Sequence, residues 1–242
     1  MKTFLFNPLP RSIFMRPWRV PVPLPYLITG SISALIVSFY FGGLLAPYVG
    51  TINGLLLSSA AAILLFAGLM ALSTPPGNVC AKVGLRKVGF REFLLCVGAL
   101  LIILAGSAFL TAFWQQFLEY FKIPFEKEQA LLQMVRNSDV KTLLQLLLLT
   151  AVLVPVMEEL IFRRALYGIL LKLGPPVALA GTSVIFGAAH GFLLGFPGLC
   201  FMGLVFQCVA NRTRNLWCSI LLHAMLNATV LLVTFWASKM EG

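Results

Sequence analysis

Four side chains with acid–base chemistry interrupt otherwise apolar stretches of this sequence. Glu158 and Glu159 are adjacent, and His190 and His223 are the only two histidines. A charged side chain near the centre of a membrane helix costs about 2.5–3.5 kcal/mol, so unpartnered acids at this depth are expensive to keep. Carboxylates and imidazoles are the usual general acids and bases of enzymes. Their presence predicts a functional site in the second half of the chain.

The turn at Gly174 predicts that two of these groups meet. Gly174 precedes two prolines, a pattern that stops a helix. Glu158 and His190 each lie 16 residues from that glycine. In an antiparallel helical hairpin both side chains would be at the same depth, about 24 Å from the turn.

Helical spacing predicts how the second acid is neutralised. Glu159 and Arg163 are four residues apart with the acid first, the favourable order for a helical ion pair. Glu158, about 100° around the helix, would then be free to face a cavity. Two further pairs share the four-residue spacing: Phe186 with His190, and His223 with Asn227.

The composition requires membrane helices to position these groups. Of the 242 residues, 60% are apolar and 11% are charged, and the mean hydropathy is +0.94. Soluble domains average about 45–50% apolar and about 25% charged residues. These values exclude an ordinary soluble domain and a disordered chain. The net charge of +10 does not indicate nucleic-acid binding, because too few polar residues remain to form a solvated basic face.

Long stretches without charge predict an all-α, polytopic transmembrane helical bundle. A span needs about 20 mostly apolar residues, and seven spans are predicted: 26–46, 52–72, 93–114, 143–172, 176–191, 195–210 and 216–238. The segment 176–191 is short for a full crossing. The five cysteines form no CxxC pair and predict neither a disulfide framework nor a zinc ribbon.

Charge asymmetry predicts the orientation. Alternate connections carry 13 of the 18 basic residues, and basic loops stay cytoplasmic, which places the N-terminus in the cytoplasm. The predicted regions are a basic, proline-rich cytoplasmic tail (1–25), a three-span region (26–114), an extracytoplasmic connector (115–141) and a catalytic membrane domain (142–238). The connector is interpreted either as an interfacial amphipathic helix or as a solvated linker.

Three short motifs resemble those of the CPBP intramembrane proteases, a family that includes type II CAAX prenyl endopeptidases and Abi bacteriocin-processing proteins. EELIFR (158–163), FGAAH (186–190) and HAMLN (223–227) match the family patterns EExxxR, FxxxH and HxxxN/D in order. The resemblance implies that Glu158 and His190 activate a water, while His223 and Asn227 stabilise the oxyanion. It also implies a supporting role for Glu159, Arg163 and Phe186, with the first two holding Glu158 in orientation. Arg164 departs from the small residue that is frequent in the family.

Other functions remain open from the sequence. Two imidazoles and one carboxylate make a plausible catalytic zinc site, which here would be Glu158, His190 and His223, although the resemblance implies a reaction without a cofactor. A non-catalytic immunity or binding protein, or a transporter, would also carry ionisable groups in its spans. The expected partners are the lipid bilayer and a peptide or lipidated-protein substrate, without nucleic acid. The expected location is a prokaryotic plasma membrane, because the compact size resembles prokaryotic members.

Overall fold

The computed structural model describes residues 42–72 and 84–240, with a few more positions between 29 and 37. Eight helices follow one another in these ranges: α1 (Gly42–Val49), α2 (Thr51–Leu72), α3 (Phe90–Tyr120), α4 (Ala130–Arg136), α5 (Val140–Leu173), α6 (Pro175–Ala189), α7 (Phe196–Thr213) and α8 (Leu216–Met240). The described part of the chain contains no strand, which confirms the predicted all-α bundle. The predicted N-terminal tail and about half of the first predicted span lie outside the described residues.

Four described helices are long and apolar enough to cross a membrane, namely Thr51–Leu69 within α2, and α3, α5 and α8. They correspond to the predicted spans 52–72, 93–114, 143–172 and 216–238. The predicted span 26–46 is only partly described, and the last two, 176–191 and 195–210, form a shorter hairpin in which α6 has 15 residues and α7 has 18. At 1.5 Å per residue α6 is about 22 Å long, less than the hydrocarbon thickness of about 30 Å. Helix α6 is therefore too short to cross the hydrocarbon layer by itself.

Two glycines shape the turn before α6 and the packing of α6 on α7. Gly174 has φ +104° between α5 and α6, a conformation that residues with a Cβ rarely adopt. Gly187 lets α6 approach α7 closely, since a Cβ there would lie 2.6 Å from Cys200 Sγ and 3.0 Å from the backbone nitrogen of the same residue. The turn predicted at Gly174 is therefore present between α5 and α6, and the backbones of the α6–α7 hairpin pack close together.

The polar connections separate into two ends of the bundle. At the basic end, defined as residues 84–92, 171–175 and 212–216, the backbone N–H of Leu216 donates to Gly84 O at 2.9 Å. At the mixed-charge end, defined as residues 50–53, 120–141 and 238–240, Lys239 Nζ donates to Ser138 O at 3.3 Å. Connections predicted to share one side of the membrane are therefore neighbours in space.

The connector at the mixed-charge end is shorter than predicted. Because α3 continues to Tyr120 and α5 begins at Val140, it covers residues 121–139 rather than 115–141. Its helix α4 buries Val135 in a cluster with Leu231 and Phe235 of α8. Asp139 caps α5 by accepting from the Thr142 N–H at 2.8 Å, and this hydrogen bond lowers the pKa of the aspartate carboxyl.

Candidate active site

Glu159 is the centre of a buried polar cluster. Its side chain has no solvent exposure and accepts from Arg163 Nε at 2.9 Å, which is the predicted i,i+4 ion pair. Ser219 Oγ of α8 donates to the same carboxylate. The guanidinium of Arg163 also lies over the Phe186 ring, 5.0 Å from its centroid. These contacts compensate a charge that would otherwise be costly inside an apolar bundle.

His223 is oriented by Glu159 from the neighbouring helix. Its Nδ1 lies 3.1 Å from Glu159 Oε1. A carboxylate only accepts hydrogen bonds, so Nδ1 carries the proton. Phe206 stacks on the imidazole, with centroids 4.7 Å apart and planes inclined by 26°. The ring is thereby fixed with Nε2 directed to Glu158.

Glu158 occupies a different environment from its neighbour in sequence. Its side chain is 22% exposed, and Oε2 lies 3.8 Å from His223 Nε2. This oxygen is buried and has no hydrogen-bond partner among the described residues. Glu158 is therefore the acid that faces free space, as the 100° rotation between adjacent helical residues predicted.

His190 ends α6 and faces the same space as Glu158. It is the first residue after the last helical turn, and its Nδ1 lies 2.8 Å from Phe186 O. A carbonyl oxygen accepts, so Nδ1 donates, and Nε2 of the neutral ring is left as an acceptor. Phe186 separates the two imidazoles, with its centroid 4.8 Å from His190 and 6.0 Å from His223.

Asn227 is positioned by an irregularity in α5. Residues Leu148–Leu153 form a π-helical segment, in which the Val154 N–H bonds to Leu149 O five residues earlier. The next donor in that register would be residue 155, but Pro155 has no N–H. Asn227 Nδ2 instead donates to the free carbonyl of Thr150 at 2.7 Å. One amide hydrogen of Asn227 is thus fixed, and the side chain borders the same cavity as Glu158.

A cavity of about 850 Å³ joins these groups. Glu158, His190, His223 and Asn227 all line it, so the structure brings together the four residues predicted to be catalytic. Apolar side chains of α4, α7 and α8 form other parts of the wall, and polar residues of α3 and of the connector, such as Thr111 and Glu128, also line it. The common depth predicted for Glu158 and His190 on the two arms of the hairpin agrees with this shared cavity.

The contacts of Glu159 and Arg163 differ from the sequence prediction in one respect. Glu159 and Arg163 were expected to hold Glu158, but Glu159 contacts His223 instead, because it points away from Glu158 toward α8. Sequence reasoning missed Ser219 and Thr150. Ser219 lies four residues before His223 on α8, so its i,i+4 position was the available signal.

A catalytic metal ion would require several ligating side chains that converge on one point. Catalytic zinc is held by about three His, Cys, Asp or Glu ligands at close to 2 Å. Within residues 42–72 and 84–240 no three such side chains converge closely enough to hold an ion. Glu158, His190 and His223 are therefore not close enough to one another in the described residues to form such a group.

The fold and the site define an integral membrane protein with a carboxylate–imidazole cluster that lines a cavity. Residues 140–229 match the family model described as "Type II CAAX prenyl endopeptidase Rce1-like". This match confirms, for that region, the resemblance to the CPBP family that the three motifs predicted.

A bacterial relative supports the same assignment. The chain is 29% identical over 110 residues to a Bacillus subtilis protein named "Putative membrane peptidase YdiL". The match covers 45% of this chain and 43% of the relative, so less than half of each protein is compared. No solved structure matches the chain significantly. The region matched by the family model, 140–229, contains the two glutamates, the two histidines and Asn227.

Proposed function

We propose that the protein is a glutamic intramembrane endopeptidase in which Glu158 is the general base. The observation that carries this proposal is the buried, unpartnered Oε2 of Glu158 at the closed end of the cavity, 3.8 Å from His223 Nε2. An unsatisfied buried carboxylate oxygen is costly and is available to a water or a substrate. The similarity of residues 140–229 to type II CAAX prenyl endopeptidases supports peptide-bond hydrolysis.

Glu158 and His190 would activate the attacking water. Glu158 takes one proton, and the unprotonated Nε2 of His190 accepts a hydrogen bond from the other. The water oxygen then bonds to the scissile carbonyl carbon, whose oxygen becomes an oxyanion. Collapse of this intermediate breaks the C–N bond, and Glu158 returns its proton to the leaving amine. General-base assistance of this kind contributes about 10²–10⁴-fold in rate.

His223 and Asn227 would stabilise the oxyanion. The second amide hydrogen of Asn227 is left over after the bond to Thr150 O, and a protonated His223 would donate from Nε2. With His223 protonated, the cluster of Glu158, Glu159, Arg163 and His223 has no net charge, because two carboxylates balance two cations. One oxyanion donor is worth about 10²–10³-fold.

The proposal extends to the cofactor, the membrane orientation and the partners. The reaction needs no metal ion, since a carboxylate and an imidazole supply the base. The basic end of the bundle lies in the cytoplasm, with the N-terminus on that side, because Lys and Arg accumulate in cytoplasmic loops. The partners are the bilayer and a peptide or lipidated-protein substrate. The proposed location is a prokaryotic plasma membrane.

Hydrolysis by the purified full-length protein tests this function. Wild type, Glu158→Gln and the control Lys172→Gln, which changes an exposed residue at the basic end, are assayed in detergent. The substrates are quenched fluorogenic peptides, with and without a farnesylated cysteine. We expect wild type and the control to cleave at equal rates and Glu158→Gln to lose at least about 10²-fold. Equal turnover by Glu158→Gln, or no cleavage of any peptide by wild type, contradicts the proposal.

A further inference from the structure

The cavity is built from one half of the bundle. On α3 its lining residues fall between 107 and 115, on α5 between 150 and 158, and on α8 between 223 and 231. In each helix these residues lie between the acid–base cluster and the mixed-charge end. Helix α7 contributes only residues of its first two turns, and α6 contributes only the His190 that follows it. The cavity therefore extends from the cluster toward the mixed-charge end.

The short α6–α7 hairpin makes room for this cavity. Helix α6 is about 22 Å long and begins at the basic end, so the hairpin stops below the mixed-charge end. Its tip is attached to α3, where Trp114 Nε1 donates to Leu193 O at 3.0 Å. The space that two complete spans would fill is instead bordered by the connector, including Gln129 and Leu132.

The opposite direction is closed. Glu159, Arg163, Phe206 and Ser219 are each at most 1% exposed and lie between the cavity and the basic end. Phe186, also 1% exposed, packs against the Arg163 guanidinium. Through the described residues no cavity wall reaches the basic end beyond this layer, so a substrate reaches Glu158 from the mixed-charge end.

The two ends of the bundle differ in their ratio of basic to acidic side chains. In the described residues the basic end and the adjoining helix termini carry six basic side chains and one acid: Arg86, Lys87, Arg91, Lys172, Arg212, Arg214 and Glu92. The mixed-charge end, together with the last turn of α3, carries five basic side chains and four acids: Lys122, Lys127, Arg136, Lys141, Lys239, Glu119, Glu126, Glu128 and Asp139. The positive-inside rule places the first end in the cytoplasm, and hence the cavity mouth on the outer face.

We infer that this cavity takes an apolar segment of a polypeptide that is presented at the outer face of the membrane. The inference rests on the proposed function and narrows its substrate class. The walls between the mouth and Glu158 are mainly aliphatic, including Val154, Leu199, Leu226 and Val230. An extended chain entering between them would bury apolar side chains while its backbone reaches the polar groups at the closed end. The substrate has therefore been exported or is anchored from the outer side.

Labelling from defined sides of the membrane tests the inference. Thr111→Cys adds a thiol on the cavity wall, and Lys172→Cys adds one at the basic end. A membrane-impermeant maleimide is applied to right-side-out and inside-out vesicles, with the wild-type protein and its five cysteines as background. After quenching and solubilisation, peptide hydrolysis is measured for each sample.

We expect Thr111→Cys to be labelled in right-side-out vesicles and to lose at least about ten-fold in turnover relative to its unlabelled form. Lys172→Cys should be labelled only in inside-out vesicles and keep its turnover. Labelling of Thr111→Cys only in inside-out vesicles overturns the inference, as does labelled Thr111→Cys that keeps full turnover. Labelling does not depend on catalysis. The proposed opening on the outer face can therefore be refuted while Glu158-dependent hydrolysis is present, and hydrolysis can be absent while the labelling pattern supports the opening.

Discussion

Glu158 and Glu159 are adjacent and chemically identical, yet substitution by glutamine should greatly reduce stability at Glu159 and hardly change it at Glu158. Glu159→Gln removes the anion that faces Arg163, whose side chain has no solvent exposure. Breaking a buried ion pair by removing one partner costs about 3–5 kcal/mol, because the other charge stays buried without compensation. The single oxygen of a glutamine also cannot accept from Arg163, Ser219 and His223 together.

Glu158→Gln should leave stability almost unchanged. Glu158 accepts no hydrogen bond at Oε2 from the described residues, and the imidazole Nε2 of His223 is 3.8 Å away. Glu158→Gln therefore breaks no close hydrogen bond or ion pair at this oxygen, and the free energy of unfolding is expected to change by no more than about 0.5 kcal/mol. It should nevertheless abolish hydrolysis, since an amide is not a base. Glu158→Gln is thus the matched control for Glu159→Gln in the same helix.

Thermal unfolding of the two variants in detergent measures the difference. For a chain of this size 1 kcal/mol shifts Tm by about 2–4 °C, so Glu159→Gln should lower Tm by about 6–20 °C. Glu158→Gln should stay within about 2 °C. The double variant Glu159→Gln/Arg163→Met removes the unpaired cation and should recover part of the loss without recovering hydrolysis. Equal Tm losses at the two glutamates would refute the reasoning that assigns them different environments.

Three further outcomes are expected. Gly187→Ala should lower Tm, because its Cβ would lie 3.0 Å from the backbone nitrogen of Cys200. The control Gly98→Ala, whose Cβ would meet no atom within 4 Å, should leave Tm unchanged. Equal Tm changes in the two variants would contradict the close packing of α6 on α7. Asn227→Ala should lower kcat about 10²–10³-fold with a smaller change in KM, and a change confined to KM would remove it from the oxyanion site. Hydrolysis should survive exhaustive treatment with 1,10-phenanthroline, with no stoichiometric metal by elemental analysis; loss that Zn²⁺ restores would favour the zinc alternative.

Local spacing was sufficient to predict much of the fold and part of the site. The i,i+4 order of Glu159 and Arg163 predicted their ion pair, and Gly174 with the following prolines predicted the hairpin. Both features depend on residues close in sequence, where helical geometry fixes relative positions. Counting residues also predicted that His190 lies at the same depth as Glu158, because α5 and α6, which carry them, meet at the turn of Gly174.

Contacts between distant helices could not be predicted in the same way. The partner of His223 depends on how α8 is rotated against α5, and the two residues it joins are 64 positions apart. The bond from Asn227 to Thr150 depends on a π-helical segment that a regular helical period does not reveal. The sequence shows that Pro155 has no N–H to donate, but which carbonyl is left free depends on the local helical register.

The two glutamates show how one helix can provide both the reactive group and its support. A rotation of about 100° between neighbouring residues directs Glu158 into the cavity and Glu159 into the packing between α5 and α8. Glu159 then fixes His223, whose other nitrogen faces Glu158, so the two acids contact opposite sides of one imidazole. Separating them by one residue would rotate one acid by a further 100° and lose one of these contacts. Two adjacent acids can therefore contact both nitrogens of one histidine: Glu159 fixes Nδ1, while Nε2 faces Glu158 and the cavity.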